Sequence, residues 1–311
     1  MGVREEEEEL PPCARMAMLA LPELANLTGS VSGEEVELLK ELVQALVQWE
    51  TLLSSEEKGG GEESADLVVP VSAQQVCGAF LGVIPHVREE VWFVFLDAIR
   101  MAVANSVPFA LDLVRAKGKG SSLCDVFRAL ETAESFSEEL IDIHSVRSAK
   151  GMGMLLLQHL AAVLLSLTSV RSSDVVPLTA CLTAAHAIMA SPRSELRITA
   201  SGFLLNLSAL IVHVATLSKR SLDESLFEGA MQTSQFLISH IETELNDSVL
   251  FHSLLALGLL LHRVPSLDIL APTVETAIDL DEIILRPTSS PRLKAVSHEL
   301  SILLQSSTPY Q

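Results

Sequence analysis

The chain has 311 residues, of which 49% are apolar and only 4% aromatic, a mixture that can bury a large aliphatic helical core and offers little for β-sandwich strands. Its formal charge of −19 excludes a nucleic-acid partner, which demands clustered Lys and Arg. Sixteen acidic and four basic residues lie between Met1 and Asp66, so −12 of that charge sits there and the rest of the chain is close to ordinary.

Met1–Ser30 opens with Glu5 to Glu9, then Pro11 and Pro12, and reads as an acidic, largely solvated tail in which only Met16 to Leu24 is apolar enough to dock. One helical domain is expected over 31–307. Ser32 with Glu35 three residues on is a capping-box signature. In the helix that follows, Glu34–Leu53, Val36, Leu39, Val43 and Leu46 oppose a stripe of Glu37, Glu41, Gln44 and Gln48. Ser54–Asp66, with three glycines among acids, reads as a flexible loop. Helices are then expected at Ser72–Val83, His86–Asn105, Pro108–Ala116, Ser121–Glu139, Met152–Val170, Asp174–Ala190, Ser194–Leu217, Asp223–Leu245, Asp247–Arg263 and Pro291–Gln305. Pro85, Pro108, Pro177, Pro192, Pro265, Pro272, Pro287 and Pro291 fall at or near their boundaries.

Four of these stretches, Val91–Ser106, Met154–Val170, Ile198–Leu217 and Val249–Val264, are almost uncharged and recur at intervals of roughly 45 to 60 residues, as in a solenoid of stacked helical units. A two- or three-helix unit cannot bury its own apolar face, so the core helix of each is apolar all round. The fold class expected is therefore all-α, an armadillo/HEAT-like helical solenoid. Ile198–Leu217 is also long enough to cross a bilayer, but Asn206, Ser208 and His213 interrupt it and no Trp or Tyr marks either end, so a buried solenoid helix is the better reading.

Cys13, Cys77, Cys124 and Cys181 are scattered singly, without the spacing of a zinc site or a disulfide framework. A reduced compartment, cytoplasmic or nuclear, follows, with no cofactor or metal. The acidic start lacks a signal peptide's basic and apolar regions. No dinucleotide glycine motif, P-loop, nucleophile elbow or H-E-x-x-H is present, and Cys181 and His186 stand five apart, off the helical spacing that joins two side chains; the chain is not expected to be an enzyme.

Leu96-Asp97-Ala98-Ile99-Arg100, Lys150-Gly151, Leu196-x-Ile198 leading to Leu205-Asn206-x-Ser208, and Phe251 with Leu255-Ala256-Leu257-Gly258 occur in the order and approximate spacing of the PUL domain. Over Ser32 to Gln305 the chain resembles that family, the armadillo-like C-terminal domain of phospholipase A2-activating protein and its fungal relatives. The resemblance implies a monomeric protein-interaction module whose concave groove binds the acidic C-terminal tail of the ubiquitin-selective AAA+ ATPase, valosin-containing protein, in ubiquitin-dependent protein processing. A generic helical-repeat scaffold and a membrane-associated helical protein are the alternatives.

An extended acidic peptide is held best by guanidinium forks and fixed donors. Arg100 matches a basic position of the family pattern, with Asp97 either positioning it or a solvated charge at i−3. Lys150-Gly151 reads as a flexible turn, or else as the start of the Met152–Val170 helix, whose first amides can accept an anion. Asn206 either bonds a peptide backbone or satisfies a neighbouring helix. His252 stands where the family pattern has an Arg, and Ala161 and Ala162 where relatives carry another, with His159 nearby. Both departures lower the expected affinity for an acidic tail or make it pH-dependent. Arg115, Lys117 and Lys119 form a local basic run that reads as a solvated loop. Glu5–Glu9 are the natural candidates for an autoinhibitory acidic segment.

Overall fold

The computed structural model of the chain describes residues 11–27, 31–56, 67–87, 89–116, 122–132, 149–218, 222–264, 267–286 and 289–307. Among these are fifteen α-helices and no β-strand, an all-α helical-repeat fold as the aliphatic composition demands. The chain divides between Val163 and Leu164 into two compact units, where the sequence leads one to expect a single body over 31–307. Glu5–Glu9, Lys117, Lys119 and the loop residues 57–66 lie outside the described residues.

In the first unit, α1 (Pro12–Asn26) packs on α2 (Gly33–Glu56) and α4 (Glu89–Asn105). The expectation of a solvated tail to Ser30 is corrected over this stretch. Cys13, Met16, Ala20 and Leu24, spaced three or four apart, form a single buried stripe. Pro12 starts the helix without sacrificing an intrahelical bond, and Glu50 of α2 accepts hydrogen bonds from the Cys13 and Ala14 amides at 3.0 and 3.2 Å, an acidic cap supplied from another helix. Next, α3 (Ala73–Val83) begins with a capping box in which Gln75 N donates to Ser72 Oγ and Ser72 N to Gln75 Oε1, both at 3.2 Å. Asp112 of α5 (Val107–Arg115) accepts from Ala73 N at 2.7 Å, so α3 and α5 are tied end to side. After α6 (Leu123–Thr132) comes α7 (Ala149–Leu165). Gly153 lets these two approach closely: a Cβ there would lie 3.0 Å from the Phe127 ring.

In the second unit the helix expected at Asp174–Ala190 is two, α8 (Ser172–Thr179) and α9 (Leu182–Met189). Pro177 has no N–H to continue the ladder, and Thr179 Oγ1 and Cys181 Sγ donate to the Val176 and Pro177 carbonyls, closing α8. There follow α10 (Ser194–Ser218), α11 (Glu224–Ile241), α12 (Asp247–Arg263), the short α13 (Ala271–Ala277) and α14 (Leu280–Leu285), both unforeseen, and α15 (Pro291–Ser307).

The repeat is visible in how α10, α12 and α15 stack. Arg197 and Ser201 near the start of α10 reach Glu244 and His252 around the start of α12. Asp247 at the start of α12 accepts from Ser290 N at the start of α15. Corresponding ends meet, so the three helices run parallel, one per repeat, and α10 with α12 forms the largest helix contact. Their shared core is aliphatic: Leu204, Leu207, Ile211, Leu254, Leu257 and Leu260 are at most 1% exposed. Fully burying each such side chain stabilises by roughly 1.5–3 kcal/mol. Ser194–Leu217 is long and apolar enough to cross a membrane, and 56% of its most apolar window is buried in this core.

Candidate functional site

On α4 the residues Val94, Phe95, Leu96, Ala98, Ile99, Ala102 and Val103 are buried, which leaves Asp97 and Arg100, three apart, on the helix edge. Arg100 Nε donates to Asp97 Oδ1 at 2.7 Å, Nη2 stands 2.6 Å from the same oxygen as an ion pair, and the two side chains, Arg100 and Asp97, are 21% and 26% exposed. The first turn of α1 lies beside this pair. Burial and the neighbouring Glu50 push the Cys13 thiol up to about 12, with Asp97 adding to the rise and Arg100 opposing it. The expected groove residue is thus neither solvated nor sealed: it stands at the margin of a packed three-helix corner.

Lys150 and His159 are half-buried on α7. At about 100° per residue their positions lie on opposite sides of that helix, so one face of α7 cannot present both. His159 Nδ1 lies 2.8 Å from the Leu155 carbonyl, which can only accept, so Nδ1 is the donor of that bond. Arg100, Asp97, Lys150 and His159 belong to the first unit, while Asn206 and His252 belong to the second.

Asn206 is half-buried on α10. His252 turns toward α10: its Nδ1 is 2.9 Å from Ser201 Oγ, whose own proton goes to the Ile198 carbonyl at 2.8 Å. Burial holds this imidazole below the ordinary histidine range, against a bond to the Ile198 backbone. At neutral pH position 252 supplies a polar ring and no positive charge.

Sequence reasoning missed a polar lock at one end of the second unit. Glu244, 4% exposed, receives Arg197 Nε at 2.8 Å and Arg197 Nη2 at 3.1 Å, a bidentate fork. The Leu245 and Asn246 amides also donate to it, at 2.9 and 2.8 Å, and His240 Nε2 stands 3.2 Å away. Arg197 Nη1 donates to the Ser191 and Pro192 carbonyls, so one guanidinium ties the α9–α10 turn to the α11–α12 turn. Burial alone would raise the Glu244 carboxyl, but Arg197 and the two amides hold it below its ordinary value. His240 stacks on Phe236, which stacks on His186 with ring centroids 3.8 Å apart. His186 Nε2 is buried without a hydrogen-bond partner, and burial lowers its pKa to about 4.

Among the described residues no three His, Cys, Asp or Glu side chains converge as a metal site would require. Cys77, deep in the first unit, has its thiol pushed up to about 12 by burial, Asp112 and Asp125. Cys13, Cys77, Cys124 and Cys181 form no disulfide with one another.

Parallel helices stacked one per repeat around an aliphatic core, as α10, α12 and α15 are, define a helical-repeat protein. The family model of the PUL domain matches residues 17–299, nearly the whole chain, and the chain belongs to the PUL family. The match begins inside α1, in keeping with that helix being part of the packed fold. No curated protein and no solved structure matches the chain.

Proposed function

We propose that this PUL domain is an adaptor module that holds the acidic C-terminal tail of the ubiquitin-selective AAA+ ATPase, valosin-containing protein, and so acts in ubiquitin-dependent protein processing in the cytoplasm or nucleus. One observation carries the reading. Arg100, at a basic position of the family pattern, is engaged by a single carboxylate oxygen and keeps part of its surface in solvent. A partly desolvated guanidinium on a rigid helix is a stronger carboxylate ligand than a mobile Lys in water. Lys150 and His159, on opposite sides of α7, are further polar groups of the same unit, of which such a peptide would meet one.

The test is a fluorescence-anisotropy titration of the full chain with the labelled C-terminal peptide and a scrambled control. Specific binding at tens of micromolar or tighter, roughly −6 kcal/mol, weakened about tenfold or more by Arg100→Ala, is the expected result. No binding by the wild type in that range refutes the assignment and leaves a helical-repeat scaffold for a different partner.

A further inference from the structure

A guanidinium offers two edges that can chelate a carboxylate: the side edge, Nε with Nη2, and the end edge, Nη1 with Nη2. In Arg100 the side edge is taken. Both Nε and Nη2 converge on Asp97 Oδ1, at 2.7 and 2.6 Å. Three-residue spacing on α4 and a shared acceptor atom hold the fork in one orientation, on a helix whose inner face is fixed by buried Phe95, Leu96 and Ile99.

We infer that Asp97 is a positioning residue for Arg100, clamping the side edge of its guanidinium so that the end edge is presented ready-made to a carboxylate of an acidic peptide. The inference rests on the proposed function and deepens it. A free Arg must be immobilised when the ligand arrives, whereas here much of that ordering accompanies folding. The opposite possibility is that Asp97 is a rival anion whose charge repels the ligand. Two features favour positioning. The edge Asp97 uses is not the edge left for a second carboxylate, and repulsion between two partly exposed carboxylates is screened by water and salt.

The experiment is a double-mutant cycle in the full chain, read by titration with the acidic C-terminal peptide, with thermal unfolding of each variant as a folding control. Asp97→Ala is expected to weaken binding about tenfold, while Asp97→Asn, which keeps an acceptor oxygen in place without the charge, stays within about threefold of wild type. In an Arg100→Ala background, Asp97→Ala is expected to have no further effect, because Asp97 acts through Arg100. Asp97→Ala binding as tightly as wild type or more tightly, Asn proving no better than Ala, or a full Asp97 effect surviving without Arg100 would each overturn the inference and leave the proposed function standing. Absence of binding by the wild type removes both.

Discussion

Glu244→Ala is a severe single change outside the aliphatic core of the second unit. It removes a buried carboxylate and strands its donors: Arg197 Nε and Nη2, and the Leu245 and Asn246 amides, all paired within 3.1 Å. Breaking a buried ion pair from one side costs about 3–5 kcal/mol, because the surviving charge is left uncompensated. Arg197 is 18% exposed and keeps the Ser191 and Pro192 carbonyls, which places the cost toward the lower end, near ~3 kcal/mol. Domains are stable by only about 5–15 kcal/mol, so such a loss is easily measured. The pH dependence is a sharper check. The folded-state pKa of Glu244 lies below its ordinary 4.5, so its contribution is fully present above that value and is lost as pH falls through the folded value. Urea denaturation of wild type and Glu244→Ala should show the full difference at about pH 7 and a shrinking one below pH 4.5, and hydrogen exchange at Leu245 and Asn246 should accelerate in the variant at neutral pH. A difference below about 1 kcal/mol at neutral pH, or one unchanged down to about pH 3, would refute the lock.

His186→Phe keeps a flat ring against Phe236 and deletes a buried nitrogen without a partner, so it should stabilise the chain by about 1 kcal/mol in thermal denaturation. Because the folded His186 pKa is lowered to about 4, the wild type loses stability as pH falls from 6.5 toward 4, and the variant should lose less over that interval. His252→Gln should leave affinity for the acidic peptide at neutral pH within about twofold, since the ring is neutral there; any gain in wild-type affinity on acidification should begin only below the ordinary histidine value of 6.5, as a pH series of titrations would show.

The fold was legible where periodicity and punctuation agreed. The uncharged runs beginning at Val91, Met154, Ile198 and Val249 became α4, α7, α10 and α12, because a helix apolar on every side has no stable place except between neighbours. Boundaries failed where tertiary contacts supplied the ending. The run to Leu245 stops at Ile241 because Glu244 turns back to take the Arg197 fork. α1 was masked by the acids before it: Pro12 and the stripe from Cys13 to Leu24 were in view, but its cap, Glu50, comes from 36 or 37 residues further along the chain. α13 and α14, of seven and six residues, are too short for a period to register.

The site divides along the same line. Asp97 and Arg100 form a local pair, so the sequence that placed them three apart on a helix also implied their contact. Arg197 and Glu244 are 47 residues apart and meet only because α10 and α12 lie side by side, a pairing no single-chain pattern encodes. His252 shows what that limitation does to a functional reading. Taken as a motif position, it stands for a lost cation. In the folded chain, the contact that draws α12 against α10 also brings its ring to Ser201 and partly out of water, so position 252 carries no charge at neutral pH and supplies a bond between repeats. A charge at position 252 would have to be carried at the same helix junction, at the cost of that bond. The peptide recognition proposed for this chain therefore leans on the first unit, where Asp97 holds the guanidinium of Arg100.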